Sequence, residues 1–207
     1  MHDEQPNATQ RGTGRPATID PEAVAAVALQ LFEERGYESV FMEDIAAAAG
    51  IGRKSLYRYF PNKAALVWGG LDEATAASQE GLVARHPATG ESILESLHGA
   101  ARVIADSLPD LELTRSRLRL ISARPELGAY SHSKLEPQRA AVAAFLVDSG
   151  LAEPDANYVA AAYSAALFAG WIRWANGSDA HPLPHLMRAL AVLQIPPFGE
   201  GVRILND

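Results

Sequence analysis

From Asp20 onward the apolar residues of this chain repeat at helical spacing, and no stretch alternates apolar and polar residues as a half-buried strand would. That pattern restricts the fold to helices packed on helices. Asp20-Pro21-Glu22 starts the first one. Asp caps free N–H groups, Pro suits the first helical position, and Glu favours the positive end of the dipole. Val24, Val27, Ala28, Leu31 and Phe32 share one face, and Gly36 ends it. A second helix covers about 42–49, with Met42, Ile45, Ala46 and Ala49 inward and Gly50 at its end. A third covers about 53–60, Pro61-Asn62 punctuates, and a fourth begins near Lys63. Breaks at Arg85-His86-Pro87, Leu108-Pro109-Asp110, Arg124-Pro125, Ser149-Gly150, Glu153-Pro154, Asn176-Gly177 and Ile195-Pro196-Pro197 leave helical segments of about 92–108, 111–123, 126–148, 155–175 and 183–194. The expectation is an all-α fold of about nine helices, three short ones followed by a larger helical remainder. Residues 1–19 and 196–207 are expected to be tails, the first polar and rich in Gly, Pro and Thr.

Composition narrows the function classes. The 207 residues contain no cysteine, which excludes a disulfide framework, a thiolate zinc site, an iron–sulfur cluster and a cysteine nucleophile. Lys and Arg number 18 against 25 Asp and Glu, a formal net charge of −7, so the chain is no general nucleic-acid coat and any such contact needs a local basic patch. The first residues carry no apolar targeting segment. The longest uncharged run, Ala156 to Ile172, has 17 residues and reaches only the lower limit of a membrane span; with Asn157, Tyr158, Tyr163 and Ser164 in it, a buried helix is expected. The expected compartment is the cytoplasm, with no membrane partner.

The local basic patch exists. Residues 42–60 read as helix, Gly-containing turn, helix, the outline of a helix-turn-helix. Leu56 and Phe60 share one side of the third helix; Lys54, Ser55 and Arg58 fall opposite, flanked by Arg53, Tyr57 and Tyr59. Between residues 50 and 63 stand Arg53, Lys54, Arg58 and Lys63 and no acid, a local +4 in a chain of −7. A basic, aromatic helix of this length suits a major groove. A helical hairpin with an incidental basic face is the alternative, and Tyr57 taken alone reads as well as a core residue whose hydroxyl alone reaches out.

Gly36-Tyr37, Met42-Glu43-Asp44-Ile45-Ala46, Ala49-Gly50-Ile51 and Leu56-Tyr57-Arg58-Tyr59-Phe60-Pro61-Asn62-Lys63 together resemble the signature of TetR-type transcriptional regulators. The resemblance implies a DNA-binding domain over 20–66, a helical ligand-binding and dimerising domain over 67–195, a homodimer on a palindromic double-stranded operator, no enzymatic activity, and a small-molecule effector that lowers operator affinity. It implies that Lys54, Ser55, Arg58 and Tyr59 meet bases or nearby phosphates, with Arg53 beside them, and that Gly52, Tyr57 and Lys63 meet phosphates. The chain departs from the pattern at Phe41, where a Ser or Thr usually caps the second helix and touches phosphate. Arg11 and Arg15 in the tail suit a minor-groove arm, or are incidental charges.

Other signals fail their context. Gly12-Thr13-Gly14-Arg15-Pro16-Ala17 matches a dinucleotide fingerprint without a preceding strand. Ser131-His132-Ser133-Lys134 lacks the companions of the catalytic set it resembles. His181 and His185 have metal-like separation but two intervening prolines and no third ligand, so neither metal nor cofactor is expected. The 155–175 segment, apolar nearly all round and rich in Ala and Gly, is expected to meet a second subunit through Ala161, Ala165, Phe168 and Ala169, joined by Leu186 and Leu190 of the next helix. An apolar ligand pocket with a few polar groups is expected among Trp68, Leu71, Leu97, Arg117, Ile121, Tyr130, Phe145, Tyr163, Phe168 and Trp171. Trp68-Gly69-Gly70 with the order of the C-terminal helices resembles regulators linked to the mycofactocin redox cofactor, which implies an acyl-CoA-like effector; the residues themselves support only an apolar or amphipathic one. The expected function is a ligand-released repressor; the alternative is a helical small-molecule-binding or modifying protein with a vestigial DNA-binding domain.

Overall fold

The computed structural model describes residues 19–69, 71 and 92–193. The tail residues 1–18 and 196–207, with Arg11, Arg15, Gly70 and the breaks at 85–87 and 195–197, lie outside the described residues. Among those described, every regular element is a helix: α1 (Pro21–Arg35), α2 (Met42–Ala48), α3 (Arg53–Tyr59), α4 (Lys63–Trp68), α5 (Ile93–Ser107), α6 (Leu111–Ala123), α7 (Pro125–Gly128), α8 (Ser131–Lys134), α9 (Glu136–Asp148), α10 (Glu153–Ala175) and α11 (Leu183–Ala191). The all-α expectation holds.

The count differs at one place. The single segment expected over 126–148 is three helices, because Pro137 has no N–H for the carbonyl four residues back and its ring crowds that carbonyl. The chain turns at Leu135 and restarts with the proline in the first turn of α9. The same chemistry places Pro154 inside the first turn of α10, which starts at Glu153 and so absorbs a proline expected to lie in a break.

α1, α2 and α3 pack around Ala28, Phe32, Ile45, Leu56 and Phe60, all buried. Asp20 caps α1 by accepting from the N–H groups of Glu22 (3.0 Å) and Ala23 (3.3 Å). Gly50, at φ +66°, makes the turn between α2 and α3. Its N–H donates to the Ala47 carbonyl (3.2 Å) and the Ile51 N–H to the Ala46 carbonyl (3.0 Å), the paired bonds of a Schellman ending that requires the left-handed region at Gly50. α1 also packs on α6, and α4 joins the two parts by packing on both.

In the larger part α10 is central, flanked by α6, α9 and α11. Gly170 permits the close α10–α11 approach: a Cβ there would stand 3.1 Å from the His185 carbonyl oxygen. Arg115, 5% exposed, closes the α10 C-terminus by donating to the carbonyls of Trp174 (3.2 Å), Gly177 (3.0 Å) and Asp179 (2.5 Å), its guanidinium 4.3 Å over the Trp174 ring. No helix among the described residues is long and apolar enough to cross a membrane.

Candidate DNA-reading face and ligand cavity

The sides of α3 divide as the sequence spacing requires. Leu56 is fully buried, and Phe60 just beyond the helix is 6% exposed. Lys54 and Arg58 are exposed, Ser55 is half-buried, and Gly52 and Arg53 stand exposed at the start. Tyr57 and Tyr59 are 44% and 40% exposed, so Tyr57 is a surface residue and the core alternative for it fails. The Arg58 guanidinium lies 5.1 Å over the Tyr59 ring, a contact that limits its rotamers while leaving its N–H groups outward. One face of a seven-residue helix thus carries the basic and aromatic set.

Two cations are committed elsewhere. Arg53 pairs at 2.5 Å with Glu43 of α2, an acid outside the 50–63 window whose charge offsets part of the local +4. Lys63 donates to the Tyr37 carbonyl at 2.6 Å with its ammonium 4.2 Å over that ring. Lys54 and Arg58 carry the charge that faces solvent from α3. Phe41 has no side-chain acceptor, so only the return bond of a capping box forms: the Phe41 N–H donates to Asp44 Oδ2 at 2.8 Å. Its ring is 64% exposed.

α6 ties this head to the body at both ends of α1. Arg117, 2% exposed, donates to Glu22 at 2.8 Å. Beyond the other end of α1, Arg124 pairs with Glu38 at 2.7 Å and lies 5.0 Å over the Tyr37 ring that also holds Lys63. Burial raises the Tyr37 phenol's pKa, with Glu126 and Glu38 adding to the rise.

On its cavity side α6 presents Thr114 and Leu118, one turn apart, to a cavity of about 570 Å³ counted with its open mouth. Trp68 and Leu71 line it from the α4 side, Ile104 and Leu108 from the end of α5, and Leu167, Phe168 and Trp171 from α10. The Trp68 and Phe168 rings stack at 6.0 Å. Lys134, Leu135 and Gln138 close the remaining side.

The structure gathers four of the ten residues expected at the pocket: Trp68, Leu71, Phe168 and Trp171. Leu97, Ile121 and Phe145 are packed in the core, away from the cavity lining. So is Tyr163, whose hydroxyl donates to the Leu97 carbonyl at 3.0 Å and whose pKa is pushed far up by burial. Arg117 faces Glu22 instead, and Tyr130 is 44% exposed on the surface. Sequence reasoning missed Thr114, Lys134 and Gln138; the i, i+4 spacing of Thr114 with Leu118 and of Lys134 with Gln138 was the available signal.

On the outer side of α10, Ala161, Ala165 and Ala169 are exposed and Phe168 is half-buried between this face and the cavity. Leu186 and Leu190, expected beside them, are 0% and 1% exposed within the single chain: α11 turns its apolar side inward onto α10, which the close approach at Gly170 requires. His181 and His185 face separate carboxylates, Asp106 at 3.7 Å and Asp179 at 2.6 Å.

A family model described as bacterial regulatory proteins of the tetR family matches residues 25–67, and one described as the MftR C-terminal domain matches residues 87–196. The chain is 34% identical over 136 residues to a Mycobacterium tuberculosis protein named as a mycofactocin biosynthesis transcriptional regulator, MftR, covering 64% of this chain and 67% of that one. Among solved structures, a fatty acid degradation regulator FadR from Bacillus halodurans superposes with a TM-score of 0.59 at 17% identity, over 84% of this chain and 96% of that chain. Thermus thermophilus FadR, a transcriptional repressor in complex with lauroyl-CoA, superposes with a TM-score of 0.52 at 22% identity, over 88% and 100%. At those identities the two structures speak for the fold.

Proposed function

The chain belongs to the TetR family of bacterial regulatory proteins, and we propose that it is a homodimeric repressor released from a palindromic operator by an amphipathic acyl effector. The exposed basic and aromatic face of α3 carries this reading. Residues 20–66 act as the DNA-binding domain and 67–195 as the ligand-binding and dimerising domain. Arg58, Tyr59, Lys54 and Ser55 read bases or nearby phosphates; Gly52, Arg53, Tyr57 and Lys63 position the helix on the backbone. The exposed alanines of α10 meet their symmetry mates, which sets two α3 helices about one DNA turn, roughly 34–36 Å, apart in the binding form.

The effector occupies the cavity bordered by α6. Its walls are apolar, its size is that of common ligand sites, and the lauroyl-CoA held by the Thermus structure supports an acyl class. Thr114 and Leu118 face the cavity from the helix whose Arg117 grips α1, so a ligand that shifts α6 moves the head through a buried ion pair. The effector acts only to the extent that it binds one spacing of the two heads better than the other.

The test is to capture random duplex fragments with the purified protein and sequence them, then repeat with lauroyl-CoA added. An enriched palindrome lost on addition is the expected result. No enrichment above bulk DNA overturns the repressor reading, and enrichment indifferent to lauroyl-CoA overturns the acyl effector.

A further inference from the structure

The cavity is apolar except along Lys134, Leu135 and Gln138, which come from one short stretch across the α8–α9 join. Gln138 is its unusual member. It is 5% exposed, it lines the cavity, and its carboxamide makes no hydrogen bond to a described residue. Thr114, the other deeply buried polar residue of the wall, has already given its proton to the Asp110 carbonyl at 2.8 Å and keeps only lone pairs for a further partner. A buried carboxamide without partners is costly, and an apolar side chain of similar length would fill the same wall without that cost. The ligand that satisfies it brings an acceptor for the Gln138 N–H groups into an apolar space.

We infer that Gln138 reads the neutral carbonyl of an acyl ester, thioester or amide held in this cavity. This deepens the effector site proposed above and rests on it. A neutral carbonyl accepts from the carboxamide without taking a charge out of water. A free carboxylate would repel the Gln138 carbonyl oxygen and be drawn to the Lys134 ammonium instead. Gln138 therefore separates activated or esterified acyl groups from free fatty acids, and Lys134 does not.

Trp68 and Trp171 both line the cavity, so their fluorescence reports occupancy directly. The wild-type chain is titrated with decanoate, N-methyldecanamide and decanoyl-CoA, and the titrations are repeated with Gln138→Met and Gln138→Glu. Met keeps the length and removes the donor; Glu keeps the shape and exchanges the donor for a second acceptor. Both variants are expected to bind the amide and the thioester about ten-fold more weakly, the value of one buried hydrogen bond, while decanoate under Gln138→Met stays within about two-fold of wild type. A loss confined to one neutral ligand identifies which carbonyl is read. Wild-type binding of all three ligands, unchanged in Gln138→Met, removes the carbonyl reading and leaves the effector site standing; an equal loss for all three makes Gln138 a shape residue only. If no ligand changes the wild-type fluorescence, the cavity is not an acyl site and both readings fall.

Discussion

α3 and α10 spend their residues in opposite ways. α3 has seven residues and buries one of them fully, Leu56; nearly everything else it carries is charged or aromatic and faces out. α10 has 23 residues, buries nine, and shows solvent a row of alanines. The first is held by a few contacts, Leu56 in the core and the Arg53–Glu43 pair to α2, and its outer chemistry is specific. The second is held from three sides, by α6, α9 and α11, and its outer face is chemically plain. Specific polar chemistry on a surface names the kind of partner. A plain small-residue face shows only that another backbone is able to come close.

The widest break in that comparison comes from giving α10 a charge. Ala165→Glu or Ala169→Glu buries an unpaired carboxylate in the proposed interface, at a cost of several kcal/mol, and operator affinity is expected to fall at least about 100-fold. Sedimentation equilibrium should show monomers whose helical circular dichroism is unchanged. A variant that remains dimeric shows that this face is not the interface.

Next in size is the link between the two regions. Glu22→Ala leaves the Arg117 guanidinium, 3% exposed at its side chain, buried without a counter-charge, and is expected to cost about 2–4 kcal/mol in urea denaturation. Arg117→Met should cost less, because Glu22 is already 36% exposed and recovers water. The reverse order would mean that the pair is not what carries the contact.

Within α3, Arg58→Ala should relax base preference at one position of each half-site by about 1–3 kcal/mol, read from the enriched-sequence profile. An unchanged profile with weaker binding makes Arg58 a phosphate contact. The smallest effect is expected for Lys63→Ala, which should flatten the plot of log affinity against log salt by about one unit. A slope that does not change would assign the ammonium wholly to the Tyr37 carbonyl it already holds.

Much of the head was legible because local chemistry decides it. The Asp20 cap, the Gly36 and Gly50 endings and the Leu56 and Phe60 side follow from residue type and spacing within a few positions. The Arg53–Glu43 pair was not legible: the partners are ten residues apart and meet only after α2 and α3 cross. The cavity was harder still. Trp68, Leu71, Phe168 and Trp171 were found by bulk, while Tyr163 and Phe145, of the same kind, went to the core. Arg117 failed as a ligand residue for the converse reason: a lone Arg on an apolar helix shows that it must be paired, without saying with what.

The amino-acid sequence by itself determined that the chain is helical, where its first four helices begin and end, and that the outer side of α3 is basic and aromatic, because those properties depend on neighbours within one or two turns. Tertiary structure alone decided which apolar side chains line a cavity and which fill the core, that Leu186 and Leu190 turn inward while the alanines of α10 stay outside, and that α6 holds α1 at both ends. Apolar side chains are interchangeable to the hydrophobic effect, which is non-directional; only the packing of distant helices assigns each of them a side.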